Sequence, residues 1–126
     1  MMEAQELRIG NIIEGYLEPQ VSEWVEIEVT LEVLGRMQTY PNTHGYRPVS
    51  LTGEWLVKLG FKQMYFLGAK IRYFIKGNLM YSTIDRHVEY KNGSINFIIR
   101  ECEHVHDLQN LYQAMTGEEL TLKPNP

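Results

Sequence analysis

The clearest pattern in the chain is a strict alternation of apolar and polar residues over positions 25–33. A period of two predicts a strand with one buried face and one acidic, solvent-facing face. A shorter β-prone run, 7–13, predicts an opening strand that bends at Gly10-Asn11. Turn-forming residues then predict a turn over 14–22 and a long loop over 35–48.

Two segments combine helical spacing with start and stop signals. Thr52 is a predicted N-cap and Gly60 a predicted stop, which indicates a short helix over 52–59 with Trp55 in the core. The spacing of apolar residues predicts a longer helix over 105–116, ended by the glycine that follows it.

Between these helices, short β-prone runs separated by turn residues predict an antiparallel meander. The runs are 64–67, 71–76, 79–84, 88–90 and 95–100. Asn92-Gly93 is the strongest hairpin signal, because a tight hairpin turn needs residues that tolerate positive φ. Alternation within 71–76 assigns Tyr73 and Ile75 to the core and Phe74 to an exposed basic-aromatic face.

Together these elements predict a single α+β domain over residues 1–123. We expect an antiparallel sheet of five to seven strands packed by two helices, its first strands curling toward a small barrel. Residues 118–123 offer a further short strand, and 124–126 are expected to form a flexible tail. A chain of 126 residues suits one domain and can bury a core without metal or disulfide staples.

The composition of the chain predicts the cellular compartment in which the protein is found. The chain has one cysteine, Cys102, which excludes an internal disulfide. No apolar run approaches the ~18 residues of a membrane span, and no apolar segment typical of a secretion signal opens the sequence. We therefore expect a cytoplasmic protein that does not enter a membrane.

The net charge of −4 conceals three blocks of alternating sign. Residues 1–32 carry one Arg and eight Glu (−7), 33–84 seven basic residues and one Glu (+6), and 85–126 four basic and seven acidic residues (−3). The basic centre either pairs with acidic segments of the same or a neighbouring subunit, or it binds an anion such as single-stranded nucleic acid or a nucleotide. The residues expected to bind such an anion are Arg36, Arg47, Lys70, Arg72 and Lys76, with Tyr40 and Tyr46 for stacking.

Catalytic groupings are absent from the sequence pattern. We find no phosphate-binding glycine loop, dinucleotide motif or nucleophilic serine motif, so we expect a non-enzymatic protein without a cofactor. His104 and His106 are weak metal-ligand candidates, because structural zinc sites draw on a second ligand pair that is missing here. We expect no metal there and favour a helix start, where Asp107 favours the helix dipole.

Three polar residues on the first turns of the last predicted helix have two interpretations. His106, Gln109 and Asn110 are expected to be exposed, where they would meet a partner. Alternatively, they cap the backbone of a neighbouring loop.

Three segments of the chain carry a family resemblance. The motifs are ELRIGN at 6–11, LTGEWLVKLGF at 51–61 and VHDLQNLYQAMTGEEL at 105–120. They resemble a family of small proteins of Bacteroidetes and their phages. Gly53 departs from the family pattern, where we expect an acidic or larger residue. The resemblance implies a cytoplasmic protein of phage or mobile-element origin and implies no activity.

The sequence therefore supports three functional hypotheses. The first is a non-enzymatic interaction protein that forms a homo-oligomer or binds another protein, because the charge blocks are complementary in sign. The second is the anion binder described above. The third, a remote one, is a metal-dependent enzyme that uses His104 and His106.

Overall fold

A computed structural model describes residues 7–16, 24–39, 46–64 and 73–122 of the chain. Its strands are β1 (Ile12–Tyr16), β2 (Trp24–Glu28), β3 (Tyr46–Pro48), β4 (Lys62–Met64), β5 (Tyr73–Lys76), β6 (Leu79–Ser82), β7 (His87–Asn92) and β8 (Ile95–Glu101). Its helices are α1 (Leu31–Thr39), α2 (Gly53–Lys58) and α3 (Val105–Thr116). The predicted α+β class with antiparallel sheets is confirmed.

The chain divides into two compact units, each with its own sheet. The first comprises Met1–Ser50 and His104–Glu119, and the second comprises Leu51–Glu103 and Leu120–Pro126. The strand order is β2-β1-β3 in the first unit and β4-β5-β6-β7-β8 in the second. Within the described residues the three-stranded sheet is open, so the expected curl into a barrel is wrong. The extent of a single domain over 1–123 stays a prediction.

The core of the first unit forms around β1, which pairs antiparallel with strands on both sides. Ile13 lies opposite Ile27 of β2 and Pro48 of β3. Ile13 and Val29 are fully buried, and Leu7 is buried in the same cluster. The partly buried residues packed against this cluster are Ile27, Val33, Leu34 and Tyr46.

The opening strand begins later than the sequence predicts. The bend at Gly10 is confirmed, because this glycine has a φ of +98°, a value that suits a residue without a Cβ. The Arg8 backbone N–H donates to the Asn11 side-chain oxygen over 2.7 Å and closes the turn. Strand β1 therefore starts after the turn and runs through Tyr16, so the turn predicted over 14–22 is wrong for its first three residues.

Helix α1 replaces the second half of the predicted strand 25–33. Strand β2 ends at Glu28, and the Thr30 hydroxyl accepts a hydrogen bond from the Val33 N–H over 3.3 Å. A threonine in this position satisfies a free amide of the first helical turn. Leu31, predicted as core, is 75% exposed. The long loop predicted over 35–48 is also wrong at its start, because α1 continues to Thr39.

The second unit confirms the predicted meander. Its five strands pair in chain order, and each pair is antiparallel. Tight turns at Gly77 and Gly93, both with positive φ, connect β5 to β6 and β7 to β8. The predicted run 64–67 lies mostly outside the described residues.

Helix α2 has the capping that its sequence predicts. The Thr52 hydroxyl accepts a hydrogen bond from the Trp55 N–H over 3.3 Å. At the other end Gly60 has a φ of +93°, and the Phe61 N–H donates to the Leu56 carbonyl over 2.9 Å. This is the hydrogen-bond pattern of a glycine-terminated helix. Trp55 is buried, as predicted.

Phe74 lies on the opposite face of β5 from the one predicted. It is buried, and its ring occupies the space beside Gly53, where a Cβ would stand 2.9 Å from Cζ. The expected exposed basic-aromatic face is therefore wrong at Phe74. The same contact explains the glycine at position 53, because a larger residue there would displace the ring.

The segment after α3 forms no strand within residues 118–122, so the further strand expected at 118–123 is wrong over these positions. Leu120 is nevertheless buried in the second unit. The expected tail 124–126 lies outside the described residues. In the described part of the chain, no helix has both the length and the apolar character that crossing a membrane requires.

Tyr81 gives the second unit a pH-dependent contribution to stability. It is buried, and its hydroxyl donates to the Cys102 carbonyl over 2.8 Å. Burial raises the pKa of Tyr81 to about 12, with a further increase from the nearby Cys102. The folded protein therefore keeps this phenol neutral at a pH where the unfolded chain ionises it.

We expect Tyr81→Phe to destabilise the protein by about 1 kcal/mol at pH 8, because it removes one buried hydrogen bond. Between pH 10 and 12 the wild type loses stability as its unfolded state ionises Tyr81 at the usual pKa near 10, and the variant lacks this loss. The difference in the free energy of unfolding should thus shrink as the pH rises above 10. Urea unfolding at pH 8 and pH 11 measures it, and a constant difference would contradict the assignment.

Candidate functional site

The described residues of the expected anion site are divided between the two units. Arg47 and Tyr46 belong to the first unit, whereas Lys76 belongs to the second. Tyr40, Lys70 and Arg72 lie outside the described residues, and only the backbone of Arg36 is described, in α1.

The described cations of this set already have partners. The Arg47 guanidinium lies 3.1 Å from a Glu14 carboxylate oxygen and 4.1 Å from the centre of the Trp24 ring. The Lys76 ammonium donates to the Leu59 carbonyl over 3.4 Å. The Arg47–Glu14 pair joins the basic central block to the acidic N-terminal block within one chain. It agrees with the interpretation that the charge blocks pair with each other, and the anion site stays a prediction.

The polar residues at the start of α3 are less exposed than expected. His106 is 2% exposed and Gln109 is 1% exposed, so the expectation that these two side chains are exposed is wrong. Their contact with a partner stays a prediction. Asn110 is half-buried. The alternative interpretation is that these side chains make hydrogen bonds to the backbone of a neighbouring loop. The hydrogen bonds of Gln109 agree with it.

Gln109 connects α3 to the turn that precedes β1. Its side-chain oxygen accepts from the Ile12 N–H over 2.8 Å, and its amide group donates to the Gly10 carbonyl over 3.3 Å. Both partners are part-buried backbone groups, and such groups are usually satisfied by a hydrogen bond in folded proteins. Gln109 thus anchors the first strand to the last helix.

A second set of hydrogen bonds surrounds the same contact. The Asn110 side-chain oxygen accepts from Arg8 Nε over 2.7 Å and from the Asn11 amide over 2.8 Å. The Arg8 guanidinium also pairs with Glu119 over 2.7 Å and donates to the Gln109 carbonyl over 3.2 Å. These residues come from the first and last motifs that carry the family resemblance. We conclude that those motifs meet in one polar network within the first unit.

The histidine cluster forms the start of α3. The His104 backbone N–H donates to the Asp107 carboxylate over 3.2 Å, a capping contact at the helix start that the sequence predicts. The His104 and His106 rings stack in parallel with centres 5.6 Å apart, and His106 Nε2 lies 3.5 Å from the second Asp107 oxygen. One donor atom from each of the three residues lies within 4.8 Å of the others. The donor set is thus compact enough for a cation, but Asp107 already has a structural role in the helix cap.

Sequence reasoning missed the most unusual surface of the described chain, which lies on β8. All seven residues of this strand are exposed, although four of the first five are large and apolar. Ile98 is 66% exposed, Ile95 58%, Phe97 48% and Ile99 38%. The signal in the sequence is the run Ile-Asn-Phe-Ile-Ile, which lacks the alternation of a strand with one buried face.

β8 is also the edge of its sheet among the described strands, with β7 as its neighbour. The pairing has a bulge at Ile99, because Glu89 lies opposite Ile98 and Val88 lies opposite Arg100. A bulge shifts the residues that follow it onto the other face of the strand. The outer side of β8 therefore presents backbone groups and apolar side chains together. We name the segment Ile95–Glu101 the β8 edge.

Neither a scan of protein-family models nor searches of curated proteins and solved structures found a match to this chain. The resemblance to small proteins of Bacteroidetes and their phages stays an expectation.

We expect Gln109→Ala to lower the free energy of unfolding by about 1–3 kcal/mol, because it leaves the Ile12 N–H and the Gly10 carbonyl without this partner. Gln113→Ala on the same helix is the control, with an expected change within about 0.5 kcal/mol. Urea unfolding followed by circular dichroism measures both. Equal changes in the two variants would contradict the anchoring role of Gln109.

The capping role of Asp107 predicts that Asp107→Ala costs about 1 kcal/mol, the usual value for a lost helix cap. Because the role needs no metal, the cost should be the same in EDTA and in excess zinc. Thermal unfolding of wild type and variant under both conditions measures it. A zinc-dependent stabilisation of the wild type that the variant lacks would instead indicate a metal site at His104, His106 and Asp107.

Proposed function

We propose that this chain is a non-enzymatic interaction protein that associates with copies of itself through the β8 edge. The main observation behind the proposal is the exposure of four large apolar side chains on a strand at the edge of its sheet among the described strands. In line with the family resemblance, we propose a cytoplasmic protein of phage or mobile-element origin.

The apolar side chains supply the driving force for association. Each large apolar side chain that moves from water into a packed interface contributes roughly 1.5–3 kcal/mol. Clustered exposed apolar residues of this kind are typical of interaction surfaces, whereas single exposed ones are common and carry no meaning. Ile95, Phe97 and Ile98 lie within four consecutive positions, so a strand that pairs along β8 runs beside all three.

The backbone of the β8 edge supports the same proposal. Natural sheets protect their edges with charged residues, with proline or with very short strands. The other edge of this sheet, β4, has three residues and contains Lys62. The β8 edge has seven residues and no charge or proline between Ile95 and Ile99. It is therefore suited to pair with another strand.

The non-enzymatic part of the proposal rests on the sequence, where we found no catalytic grouping. We expected the complementary charge blocks to hold copies of the chain together. Within the described residues, Arg47 of the basic block pairs with Glu14 of the same chain. We therefore assign the contact between copies to apolar and backbone groups.

Substituting Ile98 with lysine tests this proposal, because a buried lysine in the interface would be costly. We expect wild type to show concentration-dependent self-association in sedimentation velocity, and Ile98→Lys to weaken it at least about tenfold, or 1.4 kcal/mol. The matched control is Ile84→Lys in the same unit, since Ile84 is 60% exposed but lies in the turn before β7.

The control variant should associate like wild type. Wild type that stays monomeric over the whole concentration range would overturn the proposal. Unchanged association of Ile98→Lys would overturn the assignment to the β8 edge.

A further inference from the structure

We infer that the occupant of the β8 edge is the β8 edge of a second copy, paired antiparallel about a two-fold axis between Ile98 and Ile99. In this register Ile98 lies opposite Ile99 of the second copy, Phe97 opposite Arg100, and Asn96 opposite Glu101. The inference rests on the proposed self-association and adds the partner strand, its direction and its register.

The pairing with β7 fixes which side chains share a face of β8. Phe97 lies opposite Tyr90, and Arg100 lies opposite Val88, two positions along β7. Residues two apart on a strand share a face. Because of the bulge at Ile99, Phe97 and Arg100 therefore share one face although they are three positions apart.

The other face is assigned in the same way. Asn96 lies opposite Lys91, and Glu101 lies opposite His87, four positions along β7. Asn96 and Glu101 therefore share the second face of β8. Without the bulge, two residues five positions apart would lie on opposite faces.

These faces restrict how two copies can pair, because residues opposite each other in a sheet lie on the same face. An axis through Ile98 would pair Asn96 with Arg100, which lie on different faces. An axis through Phe97 pairs only residues 95–99 and sets Asn96 against Ile98. The axis between Ile98 and Ile99 pairs Phe97 with Arg100 and Asn96 with Glu101, each pair within one face, and spans all six residues of 96–101.

The proposed register also brings complementary groups together. On one face, Glu101 of the second copy lies beside Asn96, whose other neighbour is Lys91. The Glu101 carboxylate can accept a hydrogen bond from the Asn96 side-chain amide. It also lies on the same face of the joined sheet as the Lys91 ammonium group, two strands away. On the other face, Arg100 of the second copy lies beside Phe97, and Tyr90 is the neighbour of Phe97 on β7. A guanidinium over aromatic rings is a favourable contact.

The centre of the interface is apolar, with Ile98 and Ile99 of each copy in contact. A two-fold pair uses the same strand of both copies and leaves neither β8 edge open, so association closes at two copies. In this arrangement β4 to β8 of the two copies form one continuous antiparallel sheet. The β8 edge of a second copy therefore provides the apolar, charged and aromatic groups that complement this edge.

Cysteine cross-linking tests the register. Asn96→Cys and Glu101→Cys are made in separate, differently tagged full-length chains, and the two are mixed at low concentration, concentrated and mildly oxidised. Opposite residues of an antiparallel pair have Cα atoms about 4.5–5.5 Å apart, which suits a disulfide. We expect the mixture to form a linked dimer of the two tags, and each variant alone to form none.

Each variant alone is its own control, because the like positions lie about 17 Å apart along the strand in this register. The native Cys102 is fully buried and stays in every chain, so oxidised wild type reports its background. A self-link of Asn96→Cys alone would indicate parallel pairing or an axis at Asn96, and either would overturn the inference. A self-link of Phe97→Cys alone would place the axis at Phe97 and overturn it as well.

A charge exchange provides a second test that needs no oxidation. Glu101→Lys should weaken the dimer by roughly two- to fivefold, the range of an exposed ion pair. Adding Lys91→Glu to the same chain should restore it, because the two positions approach each other only across the interface. Failure of the second change to restore association would contradict the register.

Sedimentation tests whether the protein self-associates, and cross-linking tests the register of the two β8 strands. A wild type that sediments as a monomer at all concentrations removes the proposed function. A wild type that dimerises while the mixed cysteines do not cross-link leaves that function standing and overturns the register.

Discussion

The first unit depends on one side chain, Gln109, which joins the first described strand to the last helix. Its two hydrogen bonds reach backbone groups on both sides of the Gly10 turn, at the start of β1. Asn110 and Arg8 add charged and amide contacts around it. Because β1 lies between β2 and β3, this contact also positions the central strand of the three-stranded sheet.

The polar network at Gln109 gives the residues of the first and last motifs structural roles within the first unit. The motifs that carry the family resemblance supply Arg8, Asn11, Gln109 and Asn110, and the structure gives each of them a structural contact. Polar residues that we expected to meet a partner are therefore occupied within the chain. The second unit shows the opposite case, since the apolar residues of β8 are exposed. The surface that we propose for association is apolar and lies at the edge of the second unit's sheet among the described strands.

Local signals explain how much of this could be predicted. Helices α2 and α3 were predicted nearly to the residue, because Thr52, Gly60 and Gly117 mark their ends within a few positions. Helix α1 was missed because Val29 and Val33 fit an alternating strand and a helix with spacing of four equally well. In the structure, the Thr30 hydroxyl accepts a hydrogen bond from the Val33 N–H in the first helical turn, which favours the helix.

The candidate site could be predicted less well, because exposure depends on contacts far apart in sequence. Gln109 is buried by a turn about a hundred positions earlier, and no local pattern shows this. Likewise, the sequence predicts β8 as a strand but does not show that it lies at the edge of its sheet. The absence of alternation in Ile95–Ile99 was the one local sign that this strand has no ordinary buried face.

The most direct test of self-association through β8 is amide hydrogen exchange at two protein concentrations, one below and one above the onset of association. Peptides that cover Ile95–Glu101 should exchange more slowly at the higher concentration, because pairing protects the outward amides of an edge strand. Peptides that cover β4, the other edge of the sheet, should exchange equally at both. Association without added protection of β8, or with protection at β4 instead, would contradict the account.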